Sequence, residues 1–210
     1  MRKSFVYLQY PRLIFADYLY MKSAKYSTHE KSIQSLIDED MPRYMPKRVN
    51  YNPHGIKALN YLLASDKIFR TVFYYRIGIS SKLGSSIVRN ISLILLKPLD
   101  NIEIGTHPGG FIDGGLKIYH TAGFTCVPYI AGKNLSVFQG VSIGHGFSGK
   151  DTVDCPVFGN NVSVFANSTV FGDVKIGDNV RIGAGSVVCK DIPSNCTVVG
   201  NPAKIINNSK

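Results

Sequence analysis

The second half of the chain carries an apolar residue at every sixth position, and this period limits the folds open to it. The unbroken run of such residues comprises Phe158, Val164, Val170, Ile176, Ile182 and Val188. The same frame extends upstream through Ala131, Val137 and Ile143, and again at Ile112 and Ile118. A period of six fits neither an amphipathic helix nor an alternating strand. It is typical of a parallel β-helix, in which each six-residue segment forms one side of a triangular coil.

Two irregularities interrupt this frame. It slips by one residue near Pro128, and Phe158 follows Ile143 by fifteen positions, which is not a multiple of six. We therefore expect a loop, GHGFSGKDTVDCPV, to be inserted between two sides of the prism. Because a single coil cannot bury its core alone, the remaining repeats must stabilise one another by stacking.

The first half of the chain has a helical pattern instead. Apolar residues recur at steps of three and four between His54 and Gly78, where Ser65-Asp66 predicts the start of a second helix. Weaker or shorter helical segments are predicted over Glu30–Asp40 and from Ser85 to about Pro98. We predict an α+β chain, with an N-terminal helical domain over residues 1–100 and a parallel β-helix over residues 101–206.

Charge and cysteine content exclude several classes of protein. The formal net charge is +10, of which residues 1–100 carry +9. Such a basic half could rest on the inner membrane surface as a peripheral contact, whereas no motif for nucleic acid accompanies it, so we expect no nucleic-acid partner. The four cysteines form no CxxC pair, which argues against a disulfide framework or a zinc site. The start resembles neither a secretory signal nor a membrane span, so we expect a cytoplasmic protein.

Three segments of the second half resemble hexapeptide-repeat acyltransferases. They are IEIGTHPGGFIDGGLKIYHTAG, LSVFQGVSIGHG and CPVFGNNVSVFANSTVFGDVKIGDNVRIGAGSVVCKDIPSNCTVVGNPAKII. Within that superfamily they are most similar to serine acetyltransferases and their relatives from bacterial polysaccharide gene clusters. The resemblance implies a left-handed β-helix, acetyl-CoA as co-substrate, no metal, and a homotrimer or a multiple of it.

Acyl transfer from a thioester to an alcohol requires a base for the hydroxyl proton and a groove for the coenzyme. The resemblance implies that His120, in IYHTAG, is this base. The family's orienting carboxylate is replaced here by Gly105, so Glu103 is the candidate substitute. His145, at the mouth of the inserted loop, is a candidate contact to the acceptor.

For the coenzyme, the resemblance implies contacts from small residues and from lysines. Ala166 and Ala184 would leave room for the pantetheine arm, and Gly144 would lie beside the thioester. Lys190 and Lys204 are candidates to bind the phosphates, because cations near phosphate are favourable.

Two departures from the serine acetyltransferase pattern suggest a different acceptor. Tyr119 replaces an acid before the histidine, and Asp154-Cys155 replaces an Arg-His pair before Pro156. An aspartate there would repel the carboxylate of serine, while both Asp154 and Tyr119 could hydrogen-bond a sugar. We therefore predict an O-acetyltransferase acting on a small-molecule or lipid-linked sugar in cell-surface polysaccharide synthesis. The alternative is a serine O-acetyltransferase of cysteine biosynthesis.

Two further classes have less support in the sequence. A zinc enzyme on the same coil would need three converging histidines, and His107, His120 and His145 lack the His-x4-His spacing of such enzymes. A non-catalytic scaffold would fail to bind acetyl-CoA. The sequence favours an acetyl-CoA-dependent acyltransferase over both.

Overall fold

The structure is a computed structural model that describes residues 11–23, 27–28, 31–47, 52–79, 102–106, 110–120, 122–146 and 154–208. The chain divides into two compact units, Met1–Leu99 and Asp100–Lys210. The helix predicted from Ser85 lies outside the described residues, as does His107. Among the described helices, none is both long and apolar enough to cross a membrane.

The first unit is helical, as the apolar spacing predicts. Its elements are α1 (Pro11–Ser23), β1 (Ser27–Thr28), β2 (Lys31–Ser32), α2 (Ile33–Asp40), a 3-10 turn (Met41–Arg43), α3 (Ile56–Ser65) and α4 (Lys67–Ile79). The break predicted at Ser65-Asp66 separates α3 from α4. There the Asp66 carboxylate accepts hydrogen bonds from the backbone N–H groups of Ile68 and Phe69, at 2.8 and 3.0 Å. Such a cap satisfies donors that the first helical turn leaves unpaired.

A buried ion pair joins α2 to α4. Arg76 donates to Asp40 through Nε at 2.8 Å and through Nη2 at 3.0 Å, and both side chains are fully buried. The paired geometry satisfies both carboxylate oxygens. A buried pair of this kind adds little net stability by itself, but loss of one partner leaves the other charge unpaired in the core.

We expect Asp40→Ala to lower the free energy of unfolding by about 3–5 kcal/mol, because Arg76 would remain buried without a counter-charge. The matched control is the adjacent Glu39→Ala, which breaks the part-exposed pair between Lys31 and Glu39 at 2.9 Å. That loss should cost less than about 1 kcal/mol. Denaturant unfolding of both variants measures the difference, and equal losses would contradict the role given to the buried pair.

The second unit is a triangular prism, and each of its three faces is a sheet of parallel strands. The first face contains β4 (Phe111–Ile112), β7 (Ile130–Ala131), β10 (Val157–Phe158) and β13 (Lys175–Ile176). The second contains β5 (Lys117–Ile118), β8 (Ser136–Val137), β11 (Ser163–Val164), β14 (Arg181–Ile182), β16 (Cys196–Val199) and the antiparallel β17 (Lys204–Asn208). The third contains β3 (Ile102–Ile104), β6 (Phe124–Cys126), β9 (Ser142–Gly144), β12 (Thr169–Phe171) and β15 (Val187–Val188).

The six-residue period places its apolar residues in the prism core, which confirms the predicted left-handed parallel β-helix. Every residue of the predicted series is buried. Equivalent residues stack in register from coil to coil, as Val137, Val164 and Ile182 do on the second face. Burial of each such side chain removes apolar surface from water, at a gain of about 1.5–3 kcal/mol.

One corner of the prism carries a ladder of asparagines, Asn134, Asn161, Asn179 and Asn195. All four have left-handed backbone conformation, with φ between 57° and 62°. Each Nδ2 donates to the next Oδ1, at 2.9, 3.0 and 2.7 Å in turn. Asparagine tolerates this conformation better than most residues. The turn between the first and second faces is therefore held by side chains as well as by backbone.

Candidate active site

His120 lies at an enlarged corner between the second and third faces. The core residues on either side, Ile118 and Cys126, are eight residues apart, whereas their partners Val137 and Ile143 are six apart. Backbone hydrogen bonding to the next coil resumes at Ala122, whose carbonyl accepts the N–H of Gly140 at 3.1 Å. His120, at this enlarged corner, is exposed.

Successive coils place Gln139, Ala166 and Ala184 at the same corner as His120. The backbone bonds Asn167 N–H to Gln139 carbonyl (3.0 Å) and Gly185 N–H to Ala166 carbonyl (2.9 Å) keep these corners in line. We call this row the histidine edge. Beyond Gln139 its side chains are single methyl groups, which leave an open strip along the prism.

Lys204 is positioned near the far end of the histidine edge. It is exposed at the start of β17, where it pairs with Val199 of β16. The structure therefore brings together four of the predicted residues: the base candidate His120, the two alanines and one lysine.

An aromatic stack flanks the histidine edge on the outer surface of the second face. The Tyr119 ring lies 4.1 Å from that of Phe138 and nearly parallel to it, and Phe138 lies 4.9 Å from Phe165. The Lys117 ammonium is 5.6 Å from the centroid of the Tyr119 ring. Tyr119 is 40% exposed, and its contact with substrate stays a prediction.

Three other predicted residues lie at a different corner, between the third and first faces. Gly144 and His145 come at the end of β9, and Lys190 follows β15 on a later coil. We call this row the loop edge, because the inserted loop leaves the prism here. One six-residue side, up to roughly 20 Å when extended, separates the two edges within a coil. His120 and His145 of the same prism therefore lie on different edges.

Asp154 and Cys155 close the base of the inserted loop. The Asp154 carbonyl accepts the N–H of Gly146 at 2.9 Å, and its carboxylate accepts the N–H of Asp173 at 2.8 Å. A Cβ on Gly146 would lie 2.7 Å from that carboxylate, so only glycine fits. Both side chains are buried, and burial, together with the nearby Asp154 charge, raises the pKa of the Cys155 thiol. This differs from the predicted contact of Asp154 and Cys155 with substrate.

Glu103 is not brought to His120. It lies exposed on the outer surface of the third face, paired in register with Thr125. Within the described part of the chain, no hydrogen bond or ion pair joins its carboxylate to the imidazole. The described residues likewise contain no group of three or more His, Cys, Asp or Glu side chains arranged to hold a metal ion.

Comparison with known proteins finds relatives of this chain among acetyltransferases. The family described as bacterial transferase hexapeptide (six repeats) matches residues 156–190. Serine acetyltransferase of Synechococcus elongatus is 42% identical over 116 residues, which are 55% of this chain and 46% of that protein. The crystal structure of Brucella abortus serine acetyltransferase in complex with coenzyme A shares the fold, with a TM-score of 0.64, 19% identity, and coverage of 99% of this chain and 88% of that one.

The prediction of a sugar acceptor in polysaccharide synthesis is wrong, because these relatives are serine acetyltransferases. They give no support to a particular closeness to polysaccharide-cluster enzymes. The error came from treating Asp154 as a charge that faces the substrate. The structure buries that carboxylate and commits it to the backbone of Asp173.

We expect Asp154→Arg to lower the free energy of unfolding by about 3 kcal/mol or more, since it buries an unpaired cation and removes the acceptor of the Asp173 N–H. The exposed Asp173→Asn serves as the control and should change it by no more than about 0.5 kcal/mol. Denaturant unfolding measures both. An Asp154→Arg variant as stable as wild type would show that this side chain does not close the loop.

The likeness extends through both units of the chain. Serine acetyltransferase of Buchnera aphidicola is 31% identical over 210 aligned positions, which cover 90% of this chain and 73% of that protein. The chain spans about half the length of the Synechococcus relative but nearly three quarters of the Buchnera one. On that similarity, and on the prism that carries His120, the chain belongs to the serine acetyltransferase family.

Proposed function

We propose that this protein is a serine O-acetyltransferase, which transfers the acetyl group of acetyl-CoA to the hydroxyl of L-serine in cysteine biosynthesis. The observation that carries the proposal is the similarity to the Buchnera serine acetyltransferase across 90% of the chain. It is supported by the exposed histidine beside an open strip of methyl groups.

In the proposed reaction His120 acts as general base. Its imidazole takes the proton from the serine hydroxyl, a role that histidine fills more often than any other side chain. The hydroxyl oxygen forms a bond to the thioester carbonyl carbon, and the carbon–sulfur bond then breaks. The departing CoA thiolate takes the proton back from the imidazolium. The products are O-acetylserine and CoA, with no other reactant needed.

The histidine edge suits the acetyl donor in shape and charge. Ala166 and Ala184 present only methyl groups, so an extended pantetheine arm can lie along them toward His120. Lys204, near the far end of this edge, would meet the phosphates. Gly144 and Lys190 belong to the loop edge and would contribute from there.

A second prism is needed to complete this site. Because His120 and His145 lie on different edges, we propose a homotrimer in which the loop edge of one prism faces the histidine edge of the next. His145, Gly144 and Lys190 would then reach the donor and acceptor bound at the neighbouring His120. Light scattering at micromolar concentration should give three chains or a multiple of three, and a monomer would contradict the arrangement.

Lys117 is our candidate for the carboxylate of serine. Asp154 stands where the serine acetyltransferase pattern has an arginine, so a positive group near His120 must come from elsewhere. The Lys117 ammonium lies over the ring of the neighbouring Tyr119. A charge-assisted hydrogen bond from this ammonium would hold the zwitterion with its hydroxyl toward His120.

We expect Lys117→Met to raise the KM for serine about tenfold, because a charge-assisted hydrogen bond to the carboxylate is lost. The KM for acetyl-CoA should stay within about twofold, a difference that corresponds to less than one neutral hydrogen bond. Lys133→Met, an exposed lysine at another corner of the prism, is the matched control. Equal KM values for serine in the Lys117 and Lys133 variants would exclude Lys117 from acceptor binding.

The decisive experiment compares wild type with His120→Ala in the loss of thioester absorbance from acetyl-CoA. With L-serine, we expect the substitution to lower kcat by about a hundredfold to ten-thousandfold, as for removal of a general base. His54→Ala, in the helical unit, is the control and should retain activity. Turnover of serine that does not depend on His120, or no turnover of serine by wild type, would refute the proposal.

A further inference from the structure

Gln139 occupies the histidine edge between the His120 corner and Ala166, and its side chain lacks an expected partner. The Oε1 atom is buried and accepts no hydrogen bond from any described residue. Among the described residues of the second unit, no other buried side-chain nitrogen or oxygen atom is in this state. Buried acceptors are nearly always paired, so an unpaired one beside a candidate active site points to a bound ligand.

The backbone holds Gln139 in place on both sides. Its carbonyl accepts the N–H of Asn167 on the next coil, and the N–H of Gly140 reaches back to Ala122 on the previous one. The preceding ring, Phe138, is fixed between Tyr119 and Phe165. The carboxamide is therefore held at a fixed position along the prism axis, between His120 and the methyl groups of Ala166 and Ala184.

Resting on the proposed function, we propose that Gln139 Oε1 accepts a hydrogen bond from the donor's amide N–H nearest to the thioester sulfur. Neighbouring strands are about 4.8 Å apart, so Gln139 lies about one strand spacing from the His120 corner. In acetyl-CoA two methylene groups separate the sulfur from that nitrogen, about 4 Å at ordinary bond lengths. With the thioester carbonyl at His120, the amide reaches the next coil, where Gln139 is.

This contact would fix how far the pantetheine arm advances along the edge. Methyl groups such as Ala166 and Ala184 allow the arm to slide, because they form no directional bonds. A single acceptor at a defined height places the thioester carbonyl opposite the base, and thereby favours thioesters that carry an amide at this position.

The test uses Gln139→Leu, which shortens the side chain by one atom and removes its acceptor. Calorimetry with CoA should show about fivefold to tenfold weaker binding than wild type, as for one lost hydrogen bond. Gln34→Leu, the same change in the helical unit, is the control and should bind CoA as wild type does. The melting temperature of Gln139→Leu should equal or exceed that of wild type, because removing an unpaired buried acceptor is not destabilising.

A pair of small thioesters tests the atom itself in wild type. S-acetyl-N-acetylcysteamine carries the amide N–H, and S-acetyl-2-mercaptoethyl acetate replaces it by an ester oxygen. Measured as competitors of CoA binding, the amide should bind about fivefold better than the ester, and Gln139→Leu should abolish this preference. Equal CoA affinity in Gln139→Leu and wild type, or no amide preference in wild type, would overturn this inference alone. A wild type that binds no CoA and acetylates no serine would overturn the proposed function, and the inference with it.

Discussion

The fold of the second unit depends on one constraint, that each coil lies in register on its neighbours. A coil has no second layer against which to bury its side chains, so its core residue must stack directly on the equivalent residue of the next coil. Hydrogen bonds between parallel strands enforce the same alignment on all three faces. Any extra residue within a strand would turn the core outward, because successive side chains alternate between the two faces. Variation in length is therefore confined to the corners.

Two of the deviations from the six-residue period coincide with the proposed site, and both are found at corners. The corner of His120 has two additional residues and the loop edge has a whole loop, while the flanking strands keep their register. The corners are where the chain leaves the ladder without disturbing the core. The reactive groups can thus lie on corner segments that begin and end in regular strands. Because these strands are fixed in the prism, they limit how far the groups move.

The sequence predicted the prism well because the period directly reports which side chains are stacked. Helices α3 and α4 could be predicted equally well, since their apolar spacing and the Asp66 cap are local signals. The pairing of Arg76 with Asp40 could not be predicted, because these residues are 36 positions apart and nothing in either local pattern links them. Nor could the sequence show that Asp154 turns inward, because its hydrogen-bond partner, Asp173, lies on the following coil. The interpretation of its charge as a feature of the acceptor site, and with it the sugar, failed for that reason. Gln139 gave no sequence signal, since its buried, unpaired oxygen is evident only in three dimensions.

The asparagine ladder has a direction as well as a length. Each amide donates toward the C-terminal end of the prism, from Asn134 to Asn195, so the four side-chain dipoles are aligned and can polarise one another. The series stops at Gly115, where a Cβ would collide with the Asn134 carboxamide. Duplication of one complete coil, with its own asparagine, would extend this chain of dipoles without breaking it, whereas a partial duplication would interrupt it. The coil is therefore the natural unit in which a prism of this kind can gain or lose length during evolution.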